Sequence, residues 1–317
     1  MTRVPACGAL LAVAALAAGM APGSARASPA GQSPRIVILV SQEAPPYEEA
    51  VAGFRAQLDR QGFKSVVEVV RLKGDAAAAA AAVESVRSRG AGLLLTLGSL
   101  GTQTAVRGLR DVPIVAGMVL DDDDLRGAAN ATGVILTFPV ETELRWLQRL
   151  MPGQKNIGVL FNPAENRARI AEAERLAPSL GLVIVSREVQ SPRDLPDALV
   201  SMANRADVLW GVPDQVVLNP QTVKPILLFS LRNRIPFVGL SAAWVKAGAL
   251  YALDRDYGDI GAQCAEIAAR ILQGTRPAAL PAVPPRKVTY VINRRTLDLM
   301  KIDLDKDLLR GAQATIE

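Results

Sequence analysis

Polar side chains that stand just after aliphatic runs are the first candidates for chemistry in this chain. Ser41 and Gln42 follow Ile36 to Val40, with Tyr47 one helical turn further on. Gly98-Ser99-Leu100-Gly101-Thr102-Gln103 follows Leu93 to Leu97, and Asp121 opens a run of four aspartates after Val112 to Ala116. Later come Asn162-Pro163-Ala164-Glu165-Asn166, then Pro213-Asp214-Gln215, then Ser241. These are amides, hydroxyls and carboxylates, groups that hold a polar molecule by hydrogen bonds. The usual proton carrier is missing, because the 317 residues contain no histidine. That excludes Ser-His-Asp, Cys-His and His-metal chemistry. Cys7 and Cys264 are too few for a zinc site or a disulfide framework. Catalysis would fall to lysines, to carboxylates such as Asp121 and Asp214, or to a borrowed cofactor.

No motif points to such a cofactor. The loop Gly98 to Gly101 lacks both the G-x-G-x-x-G fingerprint and the phosphate-loop lysine. The four aspartates lack the alternating spacing of a calcium loop. No metal and no cofactor are therefore expected. Several candidates also have structural readings: Ser99 and Thr102 suit helix caps, and Asn162-Pro163 suits the turn before a helix. Asp214 is expected to bind, since Val212-Pro213 favours an extended chain that projects it from a sheet edge. The alternative is that it caps the next helix. Cys264 shares an apolar stripe with Ile260, Ile267 and Ile271 and is expected to be a buried thiol. Trp146 reads as core or lobe edge and Trp210 as sheet core, whereas Tyr47 and Trp244 lie close enough after strands to wall a pocket. Without histidine, binding of a ligand that does not itself titrate is expected to be flat around neutral pH.

The elements that must carry these residues alternate. Strands are expected at Ile36 to Val40, Val66 to Val70, Leu93 to Leu97 and Val112 to Ala116. Helices fall between them: one behind Pro45-Pro46 with Tyr47, Val51, Phe54 and Leu58 on one face, one over Asp75 to Arg89, and one over Thr102 to Leu109. The order recurs about 120 residues later. Ile157 to Phe161, Leu182 to Val185, Val208 to Trp210 and Ile235 to Gly239 form the second set. Such alternation is the pattern of parallel strands with crossover helices, written twice. A long helix through Ile260 to Ile271, a proline-rich connection and a strand Val288 to Ile292 follow. Three crossings between the halves result, near Leu136, Leu253 and Pro285. The expected lobes are 34–135 with 253–284, and 136–252 with 285–317. Ligands of open parallel sheets bind beyond the carboxyl ends of the strands, where the polar candidates stand.

Half of the residues are hydrophobic and 21% are charged, so a large core can form without metals or disulfides. Thirty-six Lys and Arg against 31 Asp and Glu leave only +5, with no basic run, and three Trp, four Tyr and six Phe give few stacking platforms. No nucleic-acid partner is expected. The first 27 residues read as a secretory signal, with Arg3, an apolar stretch Ala9 to Ala18, and Ala25-Arg26-Ala27 ahead of the cut. The stretch is shorter than the roughly 20 apolar residues of a membrane span. Cleavage after Ala27 would place the protein in the periplasm. A short Ser/Pro/Gly linker, Ser28 to Pro34, precedes the first strand.

Several segments, taken in order, carry a resemblance: Thr132-Gly133-Val134, Leu150-Met151-Pro152, Asn156 to Pro163 and Ile235 to Gly239. Lys246-Ala247-Gly248-Ala249-Leu250, Asp256-Tyr257 ahead of Ile260-Gly261, and Ile271 to Pro277 continue it. Together they resemble the substrate-binding proteins of ABC importers, in the tryptophan/tyrosine-type branch of the type I periplasmic binding protein fold. The resemblance implies an α/β architecture of two Rossmann-like lobes with parallel sheets joined by three hinge crossings. It implies capture of a small polar or aromatic molecule between the lobes and delivery to an ABC permease, by a monomer and without catalysis. By position it assigns ligand contacts to Ser99, Asn162, Asn166, Asp214 and Gln215. Relatives often carry an aspartate after the I-P-x-x-G strand, where this chain has Ser241, so the carboxylate for an ammonium group is missing there. The competing readings are a sensor subunit with the same binding module, and a carboxylate-based enzyme.

Overall fold

The computed structural model describes residues 34–317, and the expected leader Met1 to Ala27 and most of the linker lie outside the described residues. The first half runs β1 (Arg35–Val40), α1 (Pro45–Arg60), β2 (Val66–Arg71), α2 (Ala76–Ser88), β3 (Leu93–Leu97), α3 (Ser99–Gly108), β4 (Ile114–Val119) and β5 (Ala131–Ile135). These strands make one parallel sheet in the order β2-β1-β3-β4-β5. The aliphatic runs are strands buried on both faces, as parallel sheets require. Ile36, Ile38 and Val40 face α1, while Val37 and Leu39 face α2 and α3. Alternation along one strand thus feeds two separate cores.

The second half comprises α4 (Val140–Leu150), β6 (Asn156–Phe161), α5 (Pro163–Leu176), β7 (Val183–Glu188), α6 (Leu195–Met202), β8 (Val208–Trp210), α7 (Val223–Asn233), β9 (Phe237–Gly239), α8 (Ala242–Ala247) and β10 (Tyr251–Arg255). The chain then returns to the first sheet as α9 (Tyr257–Leu272) and crosses back as β11 (Val288–Asn293), α10 (Arg294–Met300), α11 (Lys306–Arg310) and β12 (Ala314–Ile316). The second sheet has the order β12-β11-β10-β9-β8-β6-β7. It is parallel except that β11 runs antiparallel to β10. The cause is connectivity: β10 leaves this lobe at the hinge and β11 enters it there, so the two neighbours must run in opposite directions. The sequence reading of purely parallel sheets is corrected at that strand. Three strands also go beyond the expected set: β5, β10 and β12.

The return helix α9 is integral to the first lobe. It lies against α1 so closely that a Cβ on Gly261 would sit 2.0 Å from the carbonyl oxygen of Ala50, and one on Gly53 would sit 1.9 Å from that of Gly258. Cys264 is fully buried on this helix, and burial pushes its thiol up to about 12. The second crossing falls after Arg255, past the expected Leu253, because β10 keeps pairing with β11 up to Arg255 opposite Val288. The third crossing is tied to α9. Gln263 accepts from the amide of Arg286 at 3.1 Å and donates to the carbonyl of Pro284 at 3.2 Å, and the Arg286 guanidinium bonds Asp259 at 2.9 Å and Glu266 at 2.8 Å.

Candidate functional site

The carboxyl ends of both sheets face the three crossings, and a cavity of about 250 Å³ opens there on the second-lobe side. Its aromatic walls are Phe138 from the first crossing, Trp210 from the end of β8 and Tyr251 from β10. Two charged side chains share it, Glu143 from the first turn of α4 and Arg255 from the last residue of β10. The guanidinium of Arg255 lies over the Phe138 ring at 4.5 Å from its centroid, and its Nε donates to the carbonyl of Leu136 at 2.7 Å. Among the described residues its terminal nitrogens make no hydrogen bond, so they can meet an anion. Burial lowers its pKa from the ordinary value, but a guanidinium stays charged in proteins.

Glu143 is largely buried and takes a hydrogen bond from Arg169 at 2.5 Å. Burial raises its pKa above the ordinary carboxylate value, against the opposing charges of Arg169 and Arg255 and the Trp210 indole. Arg169 in turn lies over the Trp210 ring at 5.6 Å. The cavity therefore presents a cation and a carboxylate across aromatic walls. Such a surface has the groups to meet a small molecule bearing both charges and a ring.

The second-lobe residues expected to bind are locked together beside this cavity. Asp214 was expected to project to a ligand; instead its carboxylate is buried and takes four bonds from its own lobe. One oxygen accepts from the amides of Val216 at 3.0 Å and Val217 at 2.8 Å and so closes the turn after β8, not a helix, since the next helix α7 begins only at Val223. The other accepts from the amide of Asn162 at 2.6 Å and from the Asn166 side chain at 3.0 Å. Asn166 is buried and also donates to the carbonyl of Pro213 at 2.9 Å. Asn162 caps α5 by accepting from the amide of Ala164 at 2.9 Å. The backbone of Gln215 is held by Glu165 at 3.0 Å, and its side chain is exposed. Ser241 is exposed at the start of α8, one residue beyond Leu240, which does line the cavity.

In the first lobe Thr102 is turned inward, bonded to the Thr96 hydroxyl at 2.9 Å and to the carbonyl of Gly98 at 2.9 Å, so it is structural. Ser41 is buried and accepts from the amide of Gly101 at 3.0 Å, tying the end of β1 to the first turn of α3. Gly98 makes this junction possible, because its φ is +92° and a Cβ there would meet the Ser41 hydroxyl at 2.9 Å and the Tyr47 hydroxyl at 3.1 Å. Gln42 leans over Gly74 in the turn after β2. Ser99 is exposed at the start of α3, and Gln103 one turn on donates to Asp124 at 2.7 Å. Asp121 accepts from the amide of Asp123 at 3.0 Å and so shapes its own turn. Met118 nearby in β4 has φ +59°, where that strand's register with β5 shifts beside the crossing.

Phe138, Glu143, Tyr251 and Arg255 were missed by the sequence reading, and Trp210 was read as core. The signal for Arg255 was the charged run Asp254-Arg255-Asp256 at the chain crossing, hidden because β10 was not recognised as a strand. Trp244, read as a pocket wall, instead packs on Phe237 with ring centroids 5.4 Å apart.

Comparison with known proteins gives one consistent picture. Residues 35–316 match the family described as ABC transporter substrate binding protein. A tyrosine-binding protein of Clostridioides difficile is 21% identical over 279 residues, covering 83% of this chain and 80% of that protein. A ligand-free, open substrate binding protein with adhesive properties from Clostridium difficile aligns with a TM-score of 0.71 at 20% identity, over 90% of this chain and 99% of that one. A Streptococcus pneumoniae domain in complex with L-Trp aligns with a TM-score of 0.56 at 20% identity, over 90% of this chain and all of that one. With two α/β lobes, three crossings and a charged aromatic cavity beside the crossings, this chain belongs to the ABC transporter substrate binding protein family.

Proposed function

We propose that this protein captures a small aromatic zwitterion, an amino acid or a close chemical relative, and hands it to a membrane permease from the extracytoplasmic side. The observation that carries this reading is the cavity itself, with Arg255 for a carboxylate, Glu143 for an ammonium group and Phe138, Trp210 and Tyr251 for a ring. Glu143 supplies the carboxylate that Ser241 does not. The volume of about 250 Å³ sits just below the range of roughly 300–1,000 Å³ usual for drug-sized ligands, so one amino acid suits it better than a larger molecule. The tyrosine-binding relative and the L-Trp complex have ligands of this chemistry. The leader read in residues 1–27 would take the chain to the periplasm, and the binding role needs no catalytic step.

Binding is coupled to closure. The two lobes turn as rigid bodies about the three crossings, and the first-lobe rim of Tyr47, Ser99 and Gln103 comes down on the ligand. Mass spectrometry of small molecules released on denaturing freshly purified protein tests the reading, followed by calorimetry with the compound found. An aromatic amino acid or its analogue is the expected result. A neutral sugar as the sole bound species would overturn it.

A further inference from the structure

A second concave surface lies on the opposite end of the second lobe. There α7, α8 and α10 surround a groove of about 430 Å³. Its apolar part includes Leu228, Leu231 and Leu299, which are 39%, 44% and 54% exposed. Helix α7 buries only Ile226 and Ser230, so most of its leucine face is left uncovered. Lys224, Lys246 and Arg295 stand on the rim. With Arg232 and Arg294 these helices carry five cations against one acid, Asp298, and Glu317 at the groove adds a second. Among the described residues none of the five cations is in an ion pair.

The composition of the groove selects its occupant. A second copy docked face to face would bring the three groove cations Lys224, Lys246 and Arg295 against the same three, which like-charge repulsion disfavours. Protein interfaces favour aromatic anchors and are depleted in lysine, and leucine is under-represented among their hot spots. Protruding leucines ringed by lysine and arginine instead suit the headgroup region of an anionic bilayer, where the apolar side chains reach the acyl boundary and the cations meet phosphates. We infer that the α7–α8–α10 face of the second lobe docks on an anionic lipid surface. Because β11 runs antiparallel, α10 begins at the end of the sheet remote from the cleft, so the docked protein faces its cleft away from the membrane for capture and must leave the surface to meet the permease.

The test is co-sedimentation of the soluble protein, purified from cells expressing the full chain, with vesicles of phosphatidylcholine alone or mixed with phosphatidylglycerol. Wild type is expected to pellet with the anionic vesicles only, and to be released as salt rises from about 0.1 M to about 0.5 M. The charge-reversed variant Lys224→Glu/Lys246→Glu/Arg295→Glu should lose roughly a hundredfold or more in vesicle affinity, and Leu228→Ser/Leu231→Ser should lose severalfold. Both variants should keep wild-type circular dichroism and wild-type affinity for the small-molecule ligand, which separates this inference from the cleft reading. Wild type left in the supernatant with anionic vesicles would overturn the inference, as would equal binding to neutral ones or undiminished binding by the variants. A dimer in sedimentation analysis that Leu228→Ser/Leu231→Ser abolishes would assign the face to a second copy instead.

Discussion

Replacing Asp214 by alanine separates a residue that holds the lobe together from one that holds a ligand. The carboxylate accepts four hydrogen bonds, two that close the turn after β8 and two that tie this turn to the start of α5. Losing the turn-closing pair resembles losing a helix cap and costs about 1 kcal/mol. The two remaining bonds are to a charged acceptor, worth about 1.5–3 kcal/mol each where buried, less what water restores at the half-buried Asn162. A total of about 3–5 kcal/mol follows. At about 2 °C per kcal/mol for a chain of this size, the ligand-free melting temperature should fall by roughly 6–10 °C. Thermal unfolding followed by circular dichroism measures it, with Asp214→Asn as the partner variant, which keeps one acceptor oxygen but turns an NH2 toward the other two donors and should lose at least half as much. Ligand affinity of the folded Asp214→Ala protein should change only severalfold, because the carboxylate is already saturated. A melting temperature within about 2 °C of wild type, together with a tenfold or greater loss of affinity, would refute the argument and return Asp214 to the ligand.

Further outcomes concern Glu143, Arg255, Gly261 and Cys264. Glu143 in the folded protein holds its proton more tightly than the ordinary carboxyl at 4.5, so ligand-free stability should fall as pH rises from that value through the raised one; Glu143→Gln should flatten the slope in urea titrations. An ammonium group docking on Glu143 should release a proton over the same window, so affinity rises with pH there, and calorimetry in buffers of different ionisation enthalpy reads the release; no release would remove Glu143 from the ammonium site. Arg255→Met should weaken binding of a carboxylate ligand by roughly tenfold or more, the loss of a charge-assisted hydrogen bond, and a change below twofold in calorimetry would exclude that role. Gly261→Val, placed where a Cβ would overlap the Ala50 carbonyl at 2.0 Å, should cost at least the 1–3 kcal/mol or so of overpacking and lower the melting temperature by several degrees. Cys264 should ignore a thiol reagent in native protein at neutral pH and react stoichiometrically once unfolded, since burial holds its thiol at about 12.

The tandem α/β order was legible in the sequence because strands buried on both faces read as unbroken aliphatic runs, and Leu93 to Leu97 and Val208 to Trp210 fall where expected. The stripe through Ile260 and Cys264 likewise announced a buried helix. β10 escaped because Tyr251 to Arg255 ends in charged residues at the crossing, and β12 because it is a three-residue edge strand. The position of the site was legible, at the carboxyl ends of the strands, but its membership was not. Local sequence places a polar residue near a strand end without saying which way its side chain turns. Asp214 and Thr102 turned inward because nearby backbone donors and acceptors needed partners. Glu143 and Arg255 are 112 residues apart in the chain and meet at one cavity only because α4 begins and β10 ends at the crossings. The sequence determined the strands, the helices and the absence of histidine chemistry. The packing of distant elements decided which charges face the cleft, because that depends on where unpaired groups and desolvated surface end up after the chain has folded.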